Sequence, residues 1–467
     1  MTSSARPSRH PWAVLILLSA AQFMVTLDVT VANVALPSIG EALGFAPGDL
    51  QWVITAYVLV AGGLLLLGGR AADLLGRRRV FLAGLLLFAA ASLAAGLAAS
   101  PAALVGARAA QGIGAALLTP AALSIVATTY SGERRTRALS VWGAVGSAGA
   151  AAGLLLGGML TTWLGWEWVF LVNVPVGVLV AVLVARLVPA TPPAPAERRR
   201  LDPLGAVSLV AGLGALIWAI EGAAQHGWGS SRTTLLLALS GASLAGFAAI
   251  ERRVPRPLVP PRTWRMRPVV AGAAVMLAGT GILVGAFFLG SLLLQDVLGA
   301  SALETGLAFL PVAVAIGLAA HAASHLLPRA GSRAVAAVGL ALMAVATALL
   351  SRAGAGAAYA GDLLPGLLVL GAGAGLVFPA ASVAAMGDAT YEDAGLASGL
   401  LTTAHETGAA LGVAVLSAVA AAGGAGTTLA PDHGFLVAAH VAGGIALLAL
   451  LLLPSVRPAG AARVAMH

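Results

Sequence analysis

The chain has 467 residues, of which 59% are hydrophobic and 9% charged, with a mean hydropathy of +0.96, a formal net charge of +8 and no cysteine. A soluble domain carries roughly 25% charged residues, so the composition excludes a soluble globular protein, and the lack of cysteine excludes disulfides, thiolate metal sites and iron–sulfur clusters. Nor does the positive charge indicate nucleic acid: all 26 basic residues are Arg, and they lie in short loops between apolar runs, as on the cytoplasmic side of a membrane protein.

The N-terminal MTSSARPSRH leads into an apolar run over 12–36. That is too long for the core of a signal peptide and is expected to be a retained first span. A hydrocarbon layer of ~30 Å needs about 20 helical residues. On that measure spans are predicted near 12–36, 50–69, 79–99, 102–127, 138–160, 168–188, 203–222 and 234–250, then near 269–295, 304–326, 334–351, 362–386, 396–421 and 433–453. The Pro/Arg-rich stretches PATPPAPAERRRLDP (189–203) and ERRVPRPLVPPRTWRMRP (251–268) cannot span. They divide the fourteen into an N-terminal six-helix bundle (1–188), a linker with two additional spans (189–268) and a C-terminal six-helix bundle (269–467). The expected fold is all-α and polytopic, with six plus six helices arranged as in transporters built from two related bundles. With a cytoplasmic N-terminus, 23 of the 26 arginines fall on the cytoplasmic side, Arg232 and Arg352 fall outside, and Arg108 falls within a span. This predicts that both termini are cytoplasmic.

Four stretches, in order along the chain, carry a resemblance. They are LDVTVANVALPSI (27–39), GRAADLLGRRR (69–79), RAAQGIGAA (108–116), and the glycine series of span 5 followed by WEWVFLVNVPVG (166–177). Together they resemble the major facilitator superfamily, specifically its fourteen-span drug:proton antiporters. The resemblance implies two six-helix bundles with two extra central helices, in the inner (cytoplasmic) membrane of the cell. It implies a gating motif of Gly69, Asp73, Gly76, Arg77 and Arg78, in which Asp73 meets a helix end of the opposite bundle and the arginines hold the cytoplasmic side closed. Gly69 and Gly76 permit a tight turn and a close helix approach, and a carboxylate at a helix N-terminus is favoured by ~0.3–1 kcal/mol. In span 5, Gly149, Gly153 and Gly157 recur every four residues and, with Gly158, form a smooth packing stripe. The chain has Leu154 where the family's antiporter motif has Pro, and Ser140 where that motif begins with Gly.

Ionisable groups inside the layer are costly, roughly 2.5–3.5 kcal/mol at a helix centre on insertion scales, and those present usually face a cavity. Three stand out: Asp28, Arg108 and Glu406. Asp28 is ~12 Å and Arg108 ~9 Å from the outer ends of their helices at 1.5 Å per residue, which predicts a pair or a shared water-filled pocket. Glu406 lies ~15 Å deep, with Thr402 and Thr403 on its face; Thr30, Asn33 and Gln111 are further cavity-lining candidates. His405 points about 100° away with Gly408 and Gly412, on what reads as a packing seam. Burial disfavours the ionised form of a carboxyl and a nearby Arg opposes this, so such a carboxyl can load and release a proton, or receive a lipophilic cation.

No nucleophile–base pair, phosphate loop or metal cluster appears, which disfavours an enzyme, a metal site or ATP drive. The expectation is a monomeric, proton-coupled secondary transporter that exports lipophilic small molecules such as drugs or antibiotics by alternating access. Its partners are the substrate, protons and membrane lipid; it uses the proton gradient and no cofactor. A proton-linked uptake carrier, to which Leu154 lends weight, and a non-transporting membrane receptor are the alternatives.

Overall fold

The computed structural model describes residues 11–46, 49–130, 132–189, 202–254, 257–259, 263, 266–353, 356–386, 394–423 and five positions between 435 and 445. Helices α1 (Pro11–Leu43), α2 (Trp52–Leu75), α3 (Arg77–Gly96), α4 (Pro101–Thr129) and α5 (Gly132–Leu164) are followed by the short α6 (Trp168–Leu171), which leads into α7 (Asn173–Leu187). Then come α8 (Pro203–His226), α9 (Ser231–Arg253), α10 (Arg267–Leu292), α11 (Ala302–Leu350), α12 (Leu364–Met386) and α13 (Ala394–Gly423). Ten helices among the described residues are long and apolar enough to cross a membrane. Inside such a layer only a helix or a closed barrel satisfies its own backbone polar groups.

α11 covers two of the predicted spans, 304–326 and 334–351, and its helical conformation breaks at Gly331 (φ 78°, ψ 163°). The short arginine-rich turn there is too tight to appear as a separate loop. The predicted span 433–453 lies almost entirely outside the described residues. Successive helices run up and down between two faces. One carries Arg77–Arg79, Arg186, Arg252, Arg253, Arg329 and Arg333; on the other stand Arg232 and Arg352.

Among the N-terminal helices, α1 packs on α5 and α7, and α4 packs on α2 and α3. Among the C-terminal ones, α10 packs on α12 and α13, and α11 on α12. The two sets meet where α1 touches α10 and α11, α5 touches α11, and α2 touches α13. The α8–α9 hairpin is held together by the Ser240 hydroxyl donating to the Gly212 carbonyl at 2.8 Å. Through α8 the hairpin covers the line where α2 meets α13, with Val210 seated on Gly63.

The glycines act where helices come closest. Cβ atoms at Gly149, Gly153 and Gly157 would lie within about van der Waals overlap of α1, for example 2.9 Å from the Phe23 carbonyl oxygen at Gly149 and 3.0 Å from Val31 Cα at Gly157. Gly158 faces the other way, and a Cβ there would sit 2.6 Å from the Ala302 carbonyl oxygen on α11. The predicted stripe therefore divides its work: three glycines pack within the N-terminal helices and the fourth packs across to the C-terminal ones.

Prolines supply the complementary device. Pro37 has no N–H to give the carbonyl of Asn33 one turn earlier, and that carbonyl instead accepts from the Ser291 hydroxyl of α10 at 2.9 Å. The next carbonyl, Val34, accepts from Gln295 Nε2 at 2.9 Å. With Leu303 N–H donating to the Thr162 hydroxyl at 3.2 Å, these bonds join the two helix sets on the arginine-poor face.

Candidate functional site

Arg108 is 0% and Asp28 1% exposed, and Arg108 Nη1 donates to Asp28 Oδ2 at 2.5 Å. Of the two arrangements expected from their similar depth, the structure shows the direct ion pair. Three further side chains close it. Gln111, one helical turn from Arg108, accepts from Arg108 Nη1 at 2.8 Å and donates to Asp28 Oδ1 at 3.2 Å. Asn173, at the start of α7, donates to the same Oδ1 at 2.7 Å. Ser92 of α3 accepts from Gln111 Nε2 at 2.7 Å and from Asn173 Nδ2 at 3.5 Å.

Arg108 is also held from α2: its Nε donates to the Val53 carbonyl at 2.8 Å, and its guanidinium lies 4.5 Å from the Tyr57 ring centroid. Phe170 of α6 stands on another side at 5.5 Å. A guanidinium over an aromatic face is attracted by the ring quadrupole, by ~2 kcal/mol or more where water is excluded. Isolated buried charges are prohibitive, and it is this pairing and hydrogen bonding that make the cluster tolerable.

Gln111 and Asn33, two of the cavity-lining candidates, are buried in this structure. Gln111 is consumed by the cluster, and Asn33 turns its side-chain N–H back to the Val29 carbonyl at 3.0 Å. Thr30 is half-buried, donating to the Leu27 carbonyl at 3.0 Å and packing against Gly153. Half-buried Gln22 and Thr26, two turns and one turn before Thr30, hydrogen-bond each other at 3.2 Å and continue a polar stripe along α1.

Glu406 lies apart from this cluster. It is half-buried on α13 and makes no hydrogen bond or ion pair among the described residues, while its Cβ rests where a Cβ on Gly62 of α2 would come within 2.5 Å. Thr402 donates to the Ser398 carbonyl at 3.1 Å, and the Thr403 hydroxyl is buried without a partner. His405 belongs to the packing seam, as its helical phase predicts: its Nδ1 is 2.9 Å from the Thr280 hydroxyl, and Gly408 and Gly412 press against Leu277 and Gly281 of α10.

In the predicted gating motif, Gly76 takes φ 99°, ψ 121° and makes the turn between α2 and α3. The close helix approach belongs to Gly68 more than Gly69: a Cβ on Gly68 would overlap the Ala116 carbonyl, which Pro120 leaves without an intrahelical donor. Gly69 has ordinary contact with Pro120 at 3.6 Å. The Asp73 side chain is 61% exposed and pairs with Arg77 at 3.5 Å, one turn along, while Arg78 donates to the Ala185 carbonyl at the end of α7. The chain entering α13 (387–393), where an opposing helix end is expected, lies outside the described residues.

Ser92, Asn173 and Tyr57 escape sequence reasoning. Asn173 sits within a quoted motif, but an uncharged polar residue in an apolar run gives no signal of its partner until helix rotation is known.

The model of the Major Facilitator Superfamily matches residues 18–413. The chain is 41% identical over 453 residues to "Cephamycin export protein CmcT" of Amycolatopsis lactamdurans, covering 95% of this chain and 92% of that protein. It is 41% identical over 449 residues to "Puromycin resistance protein pur8" of Streptomyces alboniger (94% and 87%) and 37% identical over 454 residues to the "Lincomycin resistance protein" of Streptomyces lincolnensis (96% and 92%). A solved peptide transporter in complex with sulfate superposes with a TM-score of 0.68 at 16% identity, covering 95% of this chain and 96% of that one. The inward-open xylose transporter XylE of E. coli gives 0.65 at 15% identity (97% and 98%). At such identities the structures speak for the fold, while the sequence relatives speak for the lineage. The chain belongs to the Major Facilitator Superfamily and is a multi-pass membrane protein, a secondary active transporter related to bacterial antibiotic-resistance export proteins.

Proposed function

We propose that this protein is a proton-coupled exporter of lipophilic small molecules, antibiotics among them, working by alternating access as a monomer. It sits in the inner membrane with both termini cytoplasmic. In this reading fourteen spans form two six-helix bundles (1–188 and 269–467) around two additional helices in 189–268. Arg77–Arg79 and Asp73 hold the cytoplasmic entrance, and the Asn33 and Val34 carbonyls hold the opposite one.

The observation that carries the proposal is the Asp28–Arg108 pair, ionisable groups sealed inside the helical layer and tied to α2, which also touches Glu406. Protonation of Asp28 would uncouple it from Arg108 and loosen the hold on α2, so the state of the cluster and the arrangement of α2 against α13 would change together. Glu406, half-buried and without a hydrogen bond among the described residues, meets the substrate or the proton. Export is supported by the names of three relatives, one named for export and two for resistance.

The test uses everted vesicles with an imposed pH gradient. A panel of puromycin, lincomycin, cephamycin and ethidium is scored first for resistance in cells, and then for substrate-driven proton movement. Such movement in wild type, lost in Asp28→Asn, is expected; unchanged exchange in Asp28→Asn removes the coupling role. If expressing cells accumulate more of the compound, the protein is an uptake carrier.

A further inference from the structure

All three side chains that bond Asp28 are donors to it: Arg108 Nη1, Gln111 Nε2 and Asn173 Nδ2. That set suits a carboxylate and leaves a carboxylic acid with its O–H facing N–H groups. A protonated Asp28 must find an acceptor among neighbours that water does not reach, since Ser92, Gln111 and Asn173 are 0–1% exposed. Gln111 cannot supply one. Its Oε1 is bonded to Arg108 Nη1, and turning the amide over would aim its NH2 group at the guanidinium. The amide nitrogen of Asn173 has Asp28 and, at longer range, Ser92 as partners. Both are groups whose roles reverse, one by protonation and the other by rotating a hydroxyl.

We propose that Asn173 is the positioning residue that lets Asp28 exist in both protonation states, its amide turning over to present N–H to the carboxylate and C=O to the acid. The inference rests on the coupling role proposed for Asp28. The O–H bond forms at Oδ1 with a proton from the aqueous phase and breaks when that proton returns to water. Arg108 keeps its charge throughout, with Gln111 Oε1 accepting from Nη1. The ionisable groups facing the cluster are Arg108 of α4 and Tyr57 of α2, with Glu406 of α13 on the far side of α2. From α3 and α6 come Ser92 and Phe170, which do not titrate, and α7 contributes Asn173 itself.

The sequence makes the test tractable in the native protein, because Asn occurs only at 33 and 173. With Asn labelled at the side-chain nitrogen, the spectrum in lipid nanodiscs contains two amides, assigned by Asn33→Ser. Across a pH series the Asn173 signal is expected to move in one step that disappears in Asp28→Ala, while Asn33 stays fixed. In parallel, the infrared band of protonated Asp28, identified by its absence in Asp28→Ala, is followed in Asn173→Leu and Asn173→Ser. Leucine removes donor and acceptor together, so the titration of that band is expected to move to higher pH by less than about one pH unit, the difference between a charge-assisted bond to the carboxylate and a neutral bond to the acid. Serine, which keeps both functions in a hydroxyl, is expected to restore most of it. An Asn173 amide that stays fixed while the Asp28 band titrates overturns the proposal, as does a displacement of the titration to lower pH in Asn173→Leu. If Asp28 shows no titrating band at all, the coupling role fails first and the role of Asn173 falls with it.

Discussion

Asp28 and Glu406 are both acids on long apolar helices, yet Asp28 accepts from three side chains inside a sealed cluster, whereas Glu406 is half-buried and meets the bare backbone face of α2 at Gly62. A carboxylate with both oxygens bonded in a buried cluster responds chiefly when its charge changes. An acid with no donor, beside a threonine face, is open to whatever enters the space between the helix sets. Under the proposed function, Asp28 would sense the proton from within the cluster and Glu406 would meet the substrate or the proton. α2, which holds Arg108 through Val53 and Tyr57 and touches Glu406 through Gly62, joins the two.

The sharpest way to break that contrast is at Arg108. Arg108→Met leaves Asp28 as an uncompensated buried charge, which costs about 3–5 kcal/mol, and the expected outcome is loss of folded protein from the membrane. The double variant Arg108→Met with Asp28→Asn recovers folding but not proton coupling, as measured by detergent-extracted yield and everted-vesicle exchange. If Arg108→Met alone is as stable as wild type, Asp28 is not held as a carboxylate. Glu406→Gln should behave differently. With no partner to orphan, it keeps its yield and thermal stability and loses substrate-driven proton movement; a large drop in stability would show Glu406 to be structural, like Asp28.

A smaller effect is expected at the seam joining α1 to α10. Ser291→Ala leaves the Asn33 carbonyl, freed by Pro37, buried without a donor, at about 1–3 kcal/mol. The cost falls only on the arrangement in which the arginine-poor face is closed, so the variant shifts the population toward opening there. Because the chain has no native cysteine, a single Cys introduced at Thr161, which is buried beside this seam on α5, reports this as faster thiol labelling from that side. Unchanged labelling would mean that this bond does not contribute to closure.

Much of the architecture is legible from apolar run lengths and arginine placement, because the bilayer fixes both. The ion pair was legible as one of two arrangements, a pair or a shared water-filled pocket, that satisfy opposite charges at similar depth. What could not be read is rotation. Gln111 was expected in a cavity and lies in the cluster. Gly68 makes the close approach where Gly69 was expected, one residue and about 100° away. Ser92 and Asn173 have no charge to betray them. Gly149, Gly153 and Gly157 read correctly as a stripe because their four-residue spacing carries its own phase, but nothing in that spacing shows that Gly158 turns to the opposite helix set.

The smallest effect is expected at the loop between α2 and α3. Asp73 is exposed and pairs with Arg77 one helical turn away, an arrangement worth about 0.3–0.5 kcal/mol, so Asp73→Asn should leave thermal stability almost unchanged. If the acid acts only in a second arrangement of the helices, with the arginine-rich face closed, the same substitution slows transport while stability holds. Vesicle exchange and melting temperature measured on one preparation separate the cases. A change in both together would place Asp73 with Asp28, as a residue on which the resting fold depends, whereas slowed exchange alone makes it a contact of the transport cycle.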